Sequence, residues 1–296
     1  MDLEEGDNKG LEIPIAALET VVSQYSGSLS RADIWALATI VGAESSQRGR
    51  DALDYTFDFV GRVNCEDTGV DVCVNVANGC DPSRNGPTRA MPSPNLNTAE
   101  VLHFFSNEFG FGAEEVVALM GAHTIGEAIV ENSGFDGKWV NNNERLDNRY
   151  YNAMIGDDGS LENWFDAPGW TQETINNNDP NIPTRTQWRR GGNNNNNPDA
   201  DIMLNTDIAL VRDFEDLIDT SDGSISCQFR GNRNPCPAAL QSIAFMAKFK
   251  FSNSEWLLAF RDVLTKMVKN GYSASDNTLV NSETPDEEDS KNNIFD

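Results

Sequence analysis

The stretch Val116-Val117-Ala118-Leu119-Met120-Gly121-Ala122-His123-Thr124-Ile125-Gly126 constrains this chain more than any other, because it carries one of only two histidines in 296 residues. Apolar side chains at 116, 119 and 120 recur at helical spacing, and His123 falls on the same stripe seven residues after Val116. The pattern predicts a core-facing helix with one ionisable side chain on its buried side. Gly121, Ala122 and Gly126 add almost no bulk around that side chain, which would let a large flat ligand approach the backbone. A lone histidine on such a stripe is more often a satisfied core residue than a ligand, so the ligand reading needs further residues.

A chain of 296 residues can bury a sizeable core, as one large domain or as two lobes closing on a cleft. The formal net charge of −25 argues against nucleic acid and anionic membrane surfaces as partners, since binding either rests on Lys and Arg. Such acidity can steer a cationic protein or small cation, or serve solubility alone. No run of eighteen apolar residues occurs, so no membrane span is expected, and the acidic amino end Met1-Asp-Leu-Glu-Glu-Gly lacks the apolar region of a signal peptide. The five cysteines at 65, 73, 80, 227 and 236 show no C-x-x-C spacing, which leaves zinc with little support. Cys227 and Cys236 can be bridged, as can two of the first three, and the odd number leaves a thiol unpaired within the chain. Loop-borne, near-neighbour cysteines lean towards an oxidising compartment: secretory, extracellular or an organelle lumen.

The rest of the chain reads as mainly α. Ser30 is placed as an N-cap with Asp33 in the first turn of a helix reaching about Ser45. Thr98 is expected to cap a helix carrying Val101, Leu102, Phe104 and Phe105, closed by Gly110. Ser254 is expected to open an amphipathic helix through Val268, ended by Gly271. The polar stretch from about Gly61 to Pro94 reads as loop, and the chain from Asn132 to about Ala200 as mostly irregular. Within it, Asn193 to Asn197 reads as a low-complexity surface insertion. Two units follow: a body over residues 1–272 and an acidic, unstructured tail over 273–296.

Four segments, in order and spacing, resemble the haem peroxidase superfamily of plants, fungi and bacteria. The His123 string resembles the family's proximal-ligand sentence "VALxGAHTxG". Asn132-Ser-Gly-Phe-Asp-Gly-Lys-Trp139 resembles "SGxxGxW" of the class I enzymes, among them cytochrome c peroxidase and ascorbate peroxidase. Leu146-Asp147-Asn148-Arg149-Tyr150-Tyr151 resembles "FDNxYF", and Met203 to Leu210 resembles "LPTDxAL". The likeness covers roughly residues 7 to 272 and is nearest the cytochrome c peroxidase-like subgroup. Where ascorbate peroxidases carry an arginine nine residues after the ligand, this chain has Asn132, which disfavours ascorbate as donor.

The resemblance implies a two-lobed helical fold, haem b, and hydrogen peroxide reduction coupled to one-electron oxidation of an organic or protein donor, with a role in oxidative stress. It implies His123 as iron ligand and Asp207 as the carboxylate that accepts the ligand's Nδ1–H and makes the imidazole more electron-rich. It also implies Trp139 beside them, with its indole N–H directed to the same carboxylate and a role as radical site or electron conduit. Thr124, Asn142 and Asp147 match positions that hold Ca²⁺ or K⁺ in several relatives.

The family's peroxide chemistry uses a distal R-x-x-[FW]-H helix, and nothing in this chain matches it. His103 has no arginine three or four residues upstream and reads as surface or core packing. Residues 7–19 resemble the segment that follows the distal helix in the family. Two expectations stand side by side: a natural protein with that helix upstream of Met1 and full activity, or a non-catalytic haem binder.

Overall fold

A computed structural model describes residues 8–62, 92–155, 169–175, 185–190, 201–219, 222–228, 234–270, 272 and 279–281. Helices dominate these residues, as expected. In chain order they are α1 (Glu12–Tyr25), α2 (Arg31–Ser45), β1 (Phe59–Val60), α3 (Thr98–Phe109), α4 (Ala113–Met120), β2 (Glu127–Ala128), α5 (Val130–Ser133), β3 (Gly137–Lys138) and α6 (Arg149–Met154). Then come β4 (Trp170–Ile175), β5 (Arg185–Arg190), β6 (Ile202–Met203), α7 (Asn205–Ile208), α8 (Ile243–Phe251), α9 (Asn253–Val268) and β7 (Val280–Asn281).

The helix starts follow from local hydrogen bonding. Ser30 Oγ accepts from the Asp33 amide at 2.9 Å and caps α2 as expected. At α3 the cap is Asn97 rather than Thr98. Asn97 and Glu100 exchange side-chain and backbone bonds at 3.0 and 2.9 Å, while Thr98 Oγ1 instead donates to Ala209 O at 2.7 Å. Gly110 closes that helix with φ 66°. At α9 the cap is Ser252 rather than Ser254, accepting from Glu255 N at 3.2 Å.

The core gathers around α4, whose residues Val116 to Met120 are all buried. The consecutive apolar residues of its second half leave no polar face there, and α4 is packed by α3, α8 and α9. The buried face of α9 (Trp256, Leu257, Phe260, Val263 and Leu264) lies against it. A buried ion pair ties the periphery to this centre. Asp33 accepts from Gly61 N at 2.8 Å, Arg62 N at 3.1 Å and Arg62 Nη1 at 2.8 Å, while the same guanidinium donates to Val268 O at the end of α9.

The stretch expected to be irregular contains a three-stranded antiparallel sheet. β4 pairs β5 from Trp170↔Arg190 to Ile175↔Arg185, and β5 pairs β6 at Trp188↔Met203 and Arg189↔Ile202. The strands WTQETI and RTQWRR lack apolar–polar alternation because the sheet buries polar groups. Gln187 is fully buried, and its amide is satisfied by the Asp136 backbone and by Glu173.

Within the stretch 273–296, expected to be an unstructured tail, Val280–Asn281 instead pairs antiparallel with Phe59–Val60. The short apolar island Leu279-Val280 in an otherwise polar segment gives that pairing a local basis. Cys227 and Cys236 are bridged. Cys65, Cys73, Cys80 and the Asn193–Asn197 run lie outside the described residues.

Candidate functional site

The α-helical part of the His123 segment ends at Met120, and one 3-10 turn, Gly121–Thr124, carries the histidine beyond it. Two buried side chains hold this helix end. Tyr151 OH donates to Val117 O at 2.8 Å and Trp256 Nε1 donates to Ala118 O at 3.0 Å. A Cβ on Gly121 would sit 2.6 Å from Trp256 Nε1 and closer still to the Tyr151 hydroxyl. The small residue at 121 therefore serves packing against Tyr151 and Trp256.

His123 keeps 30% of its side chain exposed, whereas its partner Asp207 is wholly buried, and His123 Nδ1 lies 2.8 Å from Asp207 Oδ1. Two further donors reach the carboxylate: Tyr150 OH to Oδ1 at 2.9 Å and Leu204 N to Oδ2 at 2.8 Å. Asp207 stands in the first turn of α7, and the sheet anchors that turn through Asn205. The Asn205 amide accepts from Trp188 Nε1 at 2.7 Å and Gln172 Nε2 at 3.0 Å, and donates to Asn95 Oδ1 at 3.0 Å and Gly223 O at 2.8 Å. Every arm of one side chain is used, which fixes the carboxylate two residues on.

The β2–β3 pairing, Glu127↔Lys138 and Ala128↔Gly137, turns the chain back on itself just after the histidine. It lays the Trp139 indole flat on the His123 ring, with centroids 3.9 Å apart and planes 2° from parallel. Among the described residues no hydrogen bond joins the Trp139 indole to Asp207, contrary to expectation. The Tyr150 hydroxyl is the second side-chain donor to that carboxylate. Burial first, and then the Asp207 charge, push the Tyr150 phenol well above its ordinary pKa, so it remains a donor.

A carboxylate only accepts, so the hydrogen bond places a proton on His123 Nδ1 and leaves Nε2 of the neutral ring with its lone pair. Nε2 meets no partner among the described residues. An imidazole held from behind by a buried carboxylate, with its other nitrogen open, fits the donor chemistry of an axial haem ligand. No cluster of three or more His, Cys, Asp or Glu able to hold a free metal ion occurs among the described residues.

Thr124, Asn142 and Asp147 are not assembled as a cation site. Thr124 Oγ1 donates to Asp147 Oδ1 at 3.4 Å, while Arg145 Nε and Arg149 Nη1 lie 3.2 and 3.0 Å from Asp147 Oδ2. Asn142 is exposed. Two guanidinium groups already occupy the carboxylate that Ca²⁺ or K⁺ would need, so this donor set does not fit either ion. The second histidine, His103, is exposed on α3 and bonded to Asn107 at 2.8 Å, a surface role.

The sequence profile described as "Peroxidase" matches residues 2–284. The chain belongs to the peroxidase family. Its similarity to curated relatives is concentrated in part of their length. Proteins named "Putative heme-binding peroxidase" are 32% identical in Gibberella zeae over 135 residues (46% of this chain, 35% of the relative) and 31% identical in Mycosarcoma maydis over 156 residues (52% and 41%). One of the same name in Yarrowia lipolytica is 29% identical over 180 residues (60% and 51%). The matched segments thus span about half, or less, of these relatives' own length.

In this peroxidase-family chain the fold brings together His123, Asp207 and Trp139, the residues the sequence singles out, but the residues that hold Asp207 were not foreseen. Tyr150 lies inside the Leu146–Tyr151 segment, and nothing local announces that its hydroxyl turns to residue 207. Arg145 and Arg149, two residues either side of Asp147, were legible as a warning against a bound cation.

Proposed function

We propose that this chain binds haem b through His123 Nε2 and forms the proximal part of a peroxidase. The overall reaction is reduction of hydrogen peroxide with one-electron oxidation of an organic or protein donor. When bound, the haem supplies the iron at which peroxide is reduced and through which electrons are drawn from the donor. The observation that carries the reading is the His123–Asp207 bond at 2.8 Å with Nε2 left open.

The chain's own residues perform the supporting chemistry. Asp207 fixes the imidazole tautomer and orientation and raises its basicity, which favours oxidised over ferrous iron. Tyr150, Leu204 N and the Asn205 network keep that carboxylate in place. Trp139, stacked on the imidazole with 3.9 Å between centroids, would serve as an electron conduit beside the iron ligand. The family profile over residues 2–284 supports the peroxidase assignment, and the names of the relatives support haem as the group bound.

A second reading, haem binding without peroxide turnover, is favoured by one observation: the chain's other histidine is exposed and bonded to Asn107. It supplies no positioned acid–base opposite His123, a group worth about 10²–10⁴-fold in rate. A haemin titration of the chain beside His123→Ala tests both readings. Saturable one-to-one binding, with a ferric Soret band that changes or disappears in the variant, is expected. Binding indifferent to His123 would remove the assignment. Peroxide consumption by the loaded chain then separates the two readings.

A further inference from the structure

The Tyr150 hydroxyl has one hydrogen-bond partner among the described residues, and that partner is Oδ1 of Asp207, the same oxygen that faces His123 Nδ1. Tyr150 is fully buried, as is Asp207, so water does not dilute the contact. Its position is fixed from several sides. The ring stands edge-on to His123 at 6.3 Å and 75° and to Tyr151 at 5.2 Å and 85°. The residue lies on α6, which packs against α8 and against the turn bearing His123. A hydroxyl held this way is a permanent donor aimed at one lone-pair region of one carboxylate oxygen.

We infer that Tyr150 is a positioning residue that sets how strongly Asp207 draws on the His123 N–H, and thereby sets the electron-donating power of His123 Nε2. The inference rests on the reading of His123 as the haem ligand. A carboxylate oxygen shares its negative charge among its donors, and each hydrogen bond to it lowers its basicity. With Tyr150 and the imidazole N–H on the same oxygen, the phenol competes directly with the imidazole. The Leu204 amide on Oδ2 acts in the same direction from the other oxygen. The hydroxyl thus moderates the imidazolate character that Asp207 alone would impose. Removing it strengthens the His123–Asp207 bond, whereas an ordinary packing role would leave that bond unchanged or slacken it.

The discriminating probe is the His123 Nδ1–H proton resonance of the chain without added haem, assigned by its loss in His123→Ala. In Tyr150→Phe, which keeps the ring and loses only the hydroxyl, the resonance is expected to move downfield. Fluorotyrosine at 150, a stronger donor in the same shape, is expected to move it upfield and keeps the test available should the phenylalanine variant fold poorly. Both shifts should vanish in an Asp207→Asn background. In the haemin-loaded chain, Tyr150→Phe should lower the iron reduction potential.

An unmoved resonance, or an upfield shift in Tyr150→Phe, overturns the inference. The resonance is read without haem. Failure of haem binding in the titration would therefore sink the ligand assignment, while an unmoved resonance would sink the role of Tyr150.

Discussion

The Trp139 indole and the His123 imidazole lie face to face, 3.9 Å between centroids and 2° from parallel, although 16 positions separate them in the sequence. The β2–β3 hairpin makes this contact, and it leaves the histidine covered on one face and open at Nε2. Stacked aromatic pairs contribute about 0.5–1.5 kcal/mol beyond the area they bury. Trp139→Ala should therefore weaken haemin binding by up to roughly 2–12-fold, since about 1.4 kcal/mol is tenfold. Trp139→Phe should retain most of the affinity. Parallel titrations check this, and equal affinities for the wild type and the alanine variant would show that the stack does not support haemin binding.

Asp207 is fully buried and gathers three donors. Asp207→Ala leaves the Tyr150 hydroxyl and the Leu204 amide buried without their acceptor. The expected loss is about 2–4 kcal/mol, since each buried donor left without an acceptor costs about 1–3 kcal/mol. Asp207→Asn keeps an acceptor oxygen and should cost about half as much. Urea unfolding of the three chains measures the difference, and an alanine variant as stable as the wild type would contradict this account.

The legible and illegible parts of the site differ in range. His123 was readable because an apolar stretch, Val116 to Met120, leads directly into a lone histidine, and Ser30 and Gly110 were readable because caps are local chemistry. Asn97 and Ser252 displaced Thr98 and Ser254 as caps because several adjacent residues can cap and only the backbone decides among them. The sheet escaped notice because Gln187 and Arg189 are buried through partners distant in sequence, such as Asp136 and Glu173. Tyr150 and Asn205 were unreadable for the same reason. Each acts through one hydrogen bond or a small network that joins separate elements, and no periodicity encodes that.

Three buried phenols predict a specific alkaline limit. Burial is the leading cause that raises the pKa values of Tyr55, Tyr150 and Tyr151 above their ordinary 10.0. Below pH 10 both folded and unfolded chains keep these protons, and the full stability is present. Above pH 10 only the unfolded chain releases them, so stability falls as pH rises. Each phenol contributes about 1.4 kcal/mol per pH unit to the slope. Unfolding free energies between pH 9 and 11 should show this decline, less steep in Tyr151→Phe by one phenol's share. A flat profile over that window would mean that the phenols titrate alike in both states.

The pairing of Asp147 with Arg145 and Arg149 makes a prediction about metal ions. A carboxylate flanked by guanidinium nitrogens at 3.2 and 3.0 Å already has its counter-charge, and a cation brought to it would meet two positive groups. The arginines are about one-third exposed, so the pair itself contributes modestly to stability, about 1 kcal/mol or less. Asp147 is buried and also serves Thr124 and the Arg149 amide, which joins the turn after His123 to the start of α6. Adding millimolar CaCl₂ or KCl, or removing divalent ions with EDTA, should therefore leave the melting temperature unchanged at constant ionic strength. Replacing both arginines with glutamine removes the internal counter-charge. That double variant should lose stability in EDTA and recover part of it with Ca²⁺, provided Thr124 and Asp147 can still converge. A wild-type chain that melts earlier in EDTA would mean that an ion, rather than the arginines, neutralises Asp147.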